Sequence, residues 1–142
     1  MSNRIEDLEP ETRRMHDAFK AECERRMLPP TRTTHTLRTW DEQMHLWAKG
    51  RKRTPEGWVV VDSRAIVTRA RPGQSAHNVG AAFDICVVGH DPYPEDEALW
   101  NAYGNAGESV GLVWGGRWKN LVDRPHFERR EWRSLPQPPE VA

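Results

Sequence analysis

The alternation of apolar residues across residues 80–88 is the feature that most constrains the fold of this chain. Phe83, Ile85 and Val87 fall on one parity, whereas Asp84 falls on the other. Because successive side chains of a β-strand point to opposite faces of its sheet, this pattern predicts a strand with one buried face. Asp84 is therefore expected on the opposite face.

Three helical segments are predicted around this strand. Apolar residues spaced mostly three or four positions apart predict an amphipathic helix over residues 5–28, which the two following prolines end. Thr39 and Glu42 form a capping-box pattern, in which the hydroxyl and the carboxylate each satisfy a free backbone N–H. This pattern predicts a helix over residues 40–48, and a third helix is predicted over residues 94–108.

Short strands complete the predicted fold, which is α+β: one compact domain with a small, mostly antiparallel sheet flanked by helices. Residues 49–62 are interpreted as a basic, solvated loop with room for one strand at 58–61. The proline-rich residues 136–142 are expected to fray. Further strands are predicted over residues 31–37, 65–68, 111–114 and 126–129.

The composition excludes several classes of protein. The 21 basic and 21 acidic residues give a formal net charge of zero, so no overall cationic field attracts nucleic acid or an anionic membrane. No apolar run approaches the roughly 20 residues needed to span a bilayer, so no membrane insertion is expected. Two cysteines, Cys23 and Cys86, are too few for a disulfide framework and are interpreted as reduced thiols.

His77, Asp84 and His126 are candidate metal ligands. Two imidazoles and a carboxylate form a catalytic zinc set that leaves a fourth position for water, whose pKa zinc can lower to about 7. Asp123, three residues before His126, can serve as the general base without binding the metal. A buried His–Asp pair without metal is the structural alternative. An iron oxygenase is disfavoured because six residues separate His77 from Asp84.

Four ordered motifs sharpen this hypothesis, because together they resemble the M15 family of zinc peptidases. That family includes D-Ala-D-Ala carboxypeptidases, D-Ala-D-Ala dipeptidases and L-alanyl-D-glutamate endopeptidases. The stretch SAHNVGAAFD is similar to the family signature S-x-H-x-x-G-x-A-x-D, and the other stretches are similar to the endopeptidase branch. The four stretches are SAHNVGAAFD at 75–84, RTWDEQ at 38–43, LWAKGR at 46–51, and GLVWGGRW at 111–118 followed by DRPHFE at 123–128.

The resemblance implies a single zinc peptidase domain over residues 1–142 with a hedgehog/DD-peptidase-like fold. Within it, residues 1–30 form an N-terminal helix, residues 31–132 a catalytic core and residues 133–142 a flexible tail. One zinc ion is implied at His77, Asp84 and His126.

The resemblance also implies roles for residues around the metal. Asp123 is implied as the catalytic base and Arg38 as the group that stabilises the oxyanion, with a structural salt bridge to Glu42 as the alternative for Arg38. Ser75 is assigned to the substrate side, with a simple turn hydroxyl as its alternative. Trp114 is assigned to the substrate cleft, although core packing is the more frequent use of such a tryptophan and is the alternative for it and for Trp118. The other histidines are interpreted as surface or packing residues: His16, His35, His45 and His90.

The reaction that these residues favour is hydrolysis of the L-Ala-D-Glu bond in peptidoglycan stem peptides, as in an endolysin. Asp rather than Glu at residue 123, together with the W-G-G turn, favours this cut. The alternatives are a D-Ala-D-Ala carboxypeptidase or dipeptidase, and a non-catalytic, zinc-containing module that binds cell-wall peptides. A monomer is expected. Because residues 1–11 are polar and acidic and lack a signal-peptide pattern, cytoplasmic synthesis is expected, with action on the wall after release or non-classical export.

Overall fold

The computed structural model describes residues 1–137. Residues 138–142, the end of the predicted flexible tail, lie outside the described residues. The described part contains three α-helices: α1 (Pro10–Arg25), α2 (Trp40–Ala48) and α3 (Glu97–Ser109). Its six strands are β1 (Thr31–His35), β2 (Arg51–Thr54), β3 (Gly57–Val60), β4 (Ala82–Val87), β5 (Leu112–Trp114) and β6 (His126–Arg129).

Four of the strands form the main sheet, in the order β1-β4-β6-β5, and every neighbouring pair is antiparallel. The register places Asp84 opposite His126 on one side and opposite His35 on the other. The predicted α+β class with a mostly antiparallel sheet is confirmed. No helix within residues 1–137 has both the length and the apolar character to cross a bilayer.

The core lies on the sheet face that α1 and α3 cover. Phe19, Phe83 and Phe127 are fully buried, with ring centroids 4.7 Å apart for Phe19–Phe127 and 5.6 Å apart for Phe83–Phe127. A Cβ atom at Gly107 of α3 would lie 2.5 Å from the ring of Phe127, so only glycine lets the helix approach the sheet this closely. Burying each such ring contributes about 1.5–3 kcal/mol.

The N-terminal helix begins later than predicted, at Pro10 rather than at residue 5. A proline ring disfavours helical backbone in the residue before it, so Glu9 is extended and the helix cannot continue backwards. Glu9 instead acts as the N-cap: its carboxylate accepts hydrogen bonds from the backbone N–H groups of Thr12 at 2.7 Å and Glu11 at 3.2 Å. Residues Ile5–Asp7 form a separate 3₁₀ turn.

The start of α2 is confirmed, because the capping box between Thr39 and Glu42 is formed in both directions. The third helix begins at Glu97 rather than at residue 94, since the carboxylate of Asp96 caps it by accepting from the N–H of Leu99 at 3.0 Å.

The basic segment is a hairpin rather than a loop, since β2 and β3 pair along their whole length. Trp58 of β3 packs edge-on against Trp47 of α2, with 5.2 Å between ring centroids, and the Arg51 guanidinium lies 4.4 Å from the Trp47 ring. These contacts fix the hairpin to α2. Four consecutive polar residues, Arg51 to Thr54, obscured the strand β2, because they show no alternation of apolar and polar side chains.

The predicted strand at residues 65–68 is wrong. Residues Ser63–Ala65 form a 3₁₀ turn capped by Asp62, and the chain then runs without a strand partner. Its carbonyl groups bind side chains instead: Thr68 O accepts from Arg51 Nη1 at 3.2 Å, and Ala70 O accepts from Gln43 Nε2 at 2.8 Å.

Candidate active site

Three polar side chains converge where β4 meets β6. His77 lies in a 3₁₀ turn (Ala76–Val79), Asp84 lies on β4 and His126 opens β6. One potential ligand atom from each residue lies within 4.8 Å of the other two. Asp84 Oδ1 is 3.3 Å from His77 Nε2 and 3.1 Å from His126 Nδ1. The structure therefore brings the three predicted metal ligands together.

The turn that carries His77 is fixed at both ends. Ser75 Oγ accepts from the N–H of His77 at 3.3 Å, and Asn78 returns a bond to the N–H of Ser75, which completes a capping box. Gly80 ends the turn in the left-handed region at φ 67°, and a Cβ there would lie 2.8 Å from Asp7 O. Glycine is thus required at the point where the turn leads into β4.

His77 is oriented by its backbone partner. Nδ1 lies 2.7 Å from Thr36 O, so Nδ1 carries the proton and Nε2 keeps a free lone pair. Nε2 is buried and has no hydrogen-bond partner within residues 1–137, because Asp84 Oδ1 lies near it without hydrogen-bond geometry. A buried acceptor without a partner, aimed at a carboxylate, fits a metal ligand.

His126 is held from both sides of its ring. Nδ1 faces Asp84, and Nε2 lies 2.7 Å from Glu128 Oε1. Burial alone lowers the pKa of His126, but the hydrogen bonds of Asp84 and Glu128, together with the charges of Asp84 and Asp123, outweigh it and raise the pKa to about 10. Burial alone raises the pKa of Asp84, yet its interactions with His77, His126 and His35 hold that pKa well below its ordinary value.

This donor set suits zinc. Two imidazole nitrogens and one carboxylate oxygen are typical ligands of catalytic zinc, and three protein ligands leave a fourth position for water or substrate. A cation at this point would displace the Nδ1 proton of His126, while Glu128 would keep the Nε2 proton and so fix the ring orientation. Cys86 is buried but is not among the converging atoms.

Asp123 and Arg38 line the same cleft, which has a volume of about 670 Å³. The loop that carries Asp123 is closed by Gly115, whose O accepts the N–H of Asp123 at 3.0 Å. A Cβ at Gly115 would lie 2.4 Å from Asp123 O, which explains glycine in the W-G-G stretch. Burial raises the pKa of Asp123; His126 opposes this rise, whereas the charge of Asp84 adds to it.

Arg38 donates from Nη1 to Gln43 Oε1 at 2.9 Å, and its backbone N–H binds His77 O at 3.0 Å. Glu42, the alternative partner, instead holds the N-terminal amine and the Thr39 cap. Burial lowers the pKa of Arg38, while Asp84, Asp123 and Glu42 favour its charged form. The guanidinium therefore remains a cation in the cleft that Asp84 and Asp123 also line.

The two predicted substrate residues lie in different places. Ser75 lines the cleft, although its hydroxyl also serves the turn. Trp114 does not reach the cleft: it is 3% exposed in the core, packs against Gly104 and donates from Nε1 to Arg124 O at 2.8 Å. Trp118 lines the cleft instead, 37% exposed, with its ring centroid 5.0 Å from that of His126.

Sequence reasoning missed two residues of the site. Glu128 was part of a motif but had no role, although its position two residues after His126 places both on one face of a strand. His35 was interpreted as a surface or packing residue, yet its Nδ1 lies 3.3 Å from Asp84 Oδ2. No local signal identifies His35, because only the pairing of β1 with β4 brings it to the site.

Comparisons with known proteins agree with this geometry. A family model described as D-alanyl-D-alanine carboxypeptidase, of the M15 peptidases, matches residues 68–129. The peptidoglycan L-alanyl-D-glutamate endopeptidase CwlK of Bacillus subtilis (strain 168) is 30% identical over 132 residues, which cover 86% of this chain and 73% of CwlK.

Two solved structures share the fold. The L-Ala D-Glu endopeptidase ChiX of Serratia marcescens superposes with a TM-score of 0.58 at 19% identity, over 92% of this chain and 87% of ChiX. The LD-carboxypeptidase LdcB, whose structure was determined to explain peptidoglycan recognition, gives 0.58 at 17% identity, over 93% and 71%. With its motifs, its His-Asp-His group and its similarity to CwlK, the chain belongs to the M15 family of peptidases.

Proposed function

We propose that this chain is a zinc-dependent endopeptidase that hydrolyses the L-Ala-D-Glu bond of peptidoglycan stem peptides. The observation that carries the proposal is the buried, unpartnered Nε2 of His77 beside Asp84 and His126, with Asp123 lining the same cleft. The L-Ala-D-Glu cut is supported by two relatives of that activity, CwlK in sequence and ChiX in fold.

The mechanism divides the work among four kinds of group. When bound by His77, Asp84 and His126, zinc supplies Lewis-acid polarisation of the scissile carbonyl and acidifies water. Asp123 accepts the proton of the attacking water and returns it to the leaving amine. Its raised pKa suits this exchange, because a base whose pKa lies nearer the working pH transfers protons in both directions more readily.

Arg38 stabilises the negative charge that develops on the carbonyl oxygen. Its guanidinium is fixed by Gln43, so little reorganisation accompanies the reaction. Glu128 and the carbonyl of Thr36 keep the two imidazoles in the tautomers that leave one nitrogen of each ring available.

A second cut is supported by one observation: the family model that matches residues 68–129 is described as a D-alanyl-D-alanine carboxypeptidase. Hydrolysis of a terminal D-Ala-D-Ala bond would use the same catalytic groups. The two activities differ in the peptide that the cleft accepts.

The test is digestion of purified muropeptides, with product masses determined for protein as isolated, after chelation, and after zinc is restored. Products with a new L-Ala carboxyl end and a new D-Glu amino end, lost on chelation and recovered with zinc, are expected. Release of free D-Ala would replace our assignment by the second cut. No products from folded, zinc-loaded protein would contradict both hydrolytic activities and favour a module that binds without cutting.

A further inference from the structure

A second depression, which we call the side groove, adjoins the metal cleft. Its volume is about 670 Å³. Trp118 and Asp123 belong to both depressions, so the side groove begins beside the proposed base rather than elsewhere on the surface. The lining residues common to both are Val67, Thr68, Ala70, Trp118 and Asp123.

The walls of the side groove are held in place by hydrogen bonds. One wall is residues 67–70, whose carbonyls at Thr68 and Ala70 are held by Arg51 and Gln43. The opposite wall is residues 118–123, whose two ends donate backbone N–H groups to Gly115 O at 3.2 Å and 3.0 Å. In both walls these bonds use backbone groups, so the backbone of the groove is held in place while its side chains remain available to a ligand.

The surface of the side groove is apolar with one cation on each wall. Val67 and Val122 are each 55% exposed, and Leu121 is 38% exposed. Arg69 and Lys119 are exposed on opposite walls. Within residues 1–137, neither Arg69 nor Lys119 forms an ion pair. Exposed apolar side chains gathered in one concavity indicate a binding surface, and free cations give it a preference for anions.

We propose that the side groove binds the part of the peptide that begins with D-Glu, and that Arg69 and Lys119 pair with the free carboxylate of that D-Glu. This inference rests on the proposed function. Glutamate has two carboxyl groups and its peptide bond to the next residue uses one, so an unmodified D-Glu presents a free carboxylate directly after the scissile bond. On the other side of that bond, the side chain of L-Ala is an uncharged methyl group. The anionic part of the substrate therefore matches the cationic groove.

The experiment uses two synthetic peptides that differ by one charge. Both contain L-Ala-γ-D-Glu-L-Lys, and in the second peptide the free carboxylate of D-Glu is replaced by its amide. Steady-state hydrolysis by the zinc-loaded protein is compared for the natural chain, Arg69→Ala, Lys119→Ala and the double variant. Arg64→Ala is the matched control, because Arg64 is 94% exposed, pairs with Asp62 and lines neither depression.

The natural chain is expected to prefer the carboxylate peptide. Each single variant should raise KM for that peptide by up to about fivefold and the double variant by up to about 25-fold, with kcat little changed. The KM for the amide peptide and the behaviour of Arg64→Ala should not change. Equal effects on both peptides, or none, would overturn the inference.

Failure of the proposed function gives a different result. If the zinc-loaded natural chain cleaves neither peptide, the assigned reaction is wrong, and calorimetric titration with the same two peptides then tests the groove alone. Tighter binding of the carboxylate peptide that disappears in the double variant would support the groove. Equal binding of the two peptides, or no binding, would refute it.

Discussion

The two faces of β4 and β6 differ sharply, although the residues that make them are neighbours in sequence. Phe83 and Phe127 point into the core and are fully buried, whereas Asp84 and His126 point to the cleft. One face is stabilised by ring packing beneath α1 and α3, and the other holds charged side chains that pair with one another. The alternation of a strand thus separates stability from chemistry by a single residue.

Two buried histidines show the same contrast. His16 and His126 are each 5% exposed, but their pKa values shift in opposite directions. His16 lies 4.8 Å from the ring of Phe83, and burial lowers its pKa despite the nearby Asp17. His126 lies between two carboxylates, which raise its pKa to about 10. At equal exposure, burial decides the direction of the pKa shift of His16, whereas the carboxylate partners decide it for His126.

The largest expected effect tests whether the cleft face carries the chemistry. In Asp123→Asn, an isosteric side chain that cannot accept a proton, kcat should fall by about 10²- to 10⁴-fold. Zinc content and thermal midpoint should stay unchanged, because Asp123 lies beside the ligands and not among them. The measurement is muropeptide hydrolysis with metal analysis of the same sample. Full activity in this variant would remove Asp123 from the mechanism.

The next effect tests whether the core face carries the stability. Phe127→Ala should lower the free energy of unfolding by about 3–5 kcal/mol, because the fully buried ring leaves a cavity against Phe19 and Phe83. Urea denaturation of the metal-free protein measures this. The matched control is Trp118→Ala on the cleft face, where the 37% exposed ring should cost far less. Equal losses in the two variants would contradict the division between faces.

A smaller effect concerns the cleft face itself, where Glu128 Oε1 lies 2.7 Å from His126 Nε2 and accepts its hydrogen bond. Glu128→Ala should weaken zinc binding by about 10- to 100-fold, as measured by competition with a chromophoric chelator. Glu128→Gln should restore most of the affinity, because its amide oxygen still accepts the same bond. A loss in both variants would mean that charge, and not ring orientation, is what Glu128 provides.

The smallest effect concerns the histidine on the core face. Because the folded-state pKa of His16 lies below its unfolded value near 6.5, the unfolded chain binds the proton first as the pH falls. Stability is therefore retained above pH 6.5 and lost below it, by at most about 1.4 kcal/mol per pH unit for one group. His16→Gln should flatten this decline. Identical pH dependence of unfolding in the two zinc-loaded proteins would contradict the assignment.

Local patterns predicted the parts of this molecule that local physics determines. The alternation around Asp84 identified β4, and the hydroxyl–carboxylate pair at Thr39 and Glu42 identified the start of α2. The motifs predicted the group of His77, Asp84 and His126 as metal ligands from the sequence alone. The predicted start of α1 was wrong because Pro10 disfavours helical backbone at Glu9, and this effect was not taken into account.

Long-range pairing determined what could not be predicted. His35 reaches Asp84 only because β1 pairs with β4, and the side groove exists only because residues 67–70 face residues 118–123. Trp114 lies in the core rather than in the cleft because Gly104, which has no side chain, leaves room for the indole to pack on α3. No spacing in the sequence reports these contacts.

The strand order has a consequence for how the chain folds. Neighbours in the sheet, such as Thr31 and Val87 or Asp84 and His126, are far apart in sequence. Their pairing must therefore overcome the entropy cost of closing long loops before the strand contacts can stabilise the fold. Such non-local topologies fold slowly. The three metal ligands come from the turn before β4 and from β4 and β6, so the unfolded chain offers zinc only scattered donors. During refolding, recovery of zinc affinity should therefore report the moment at which β4 and β6 pair.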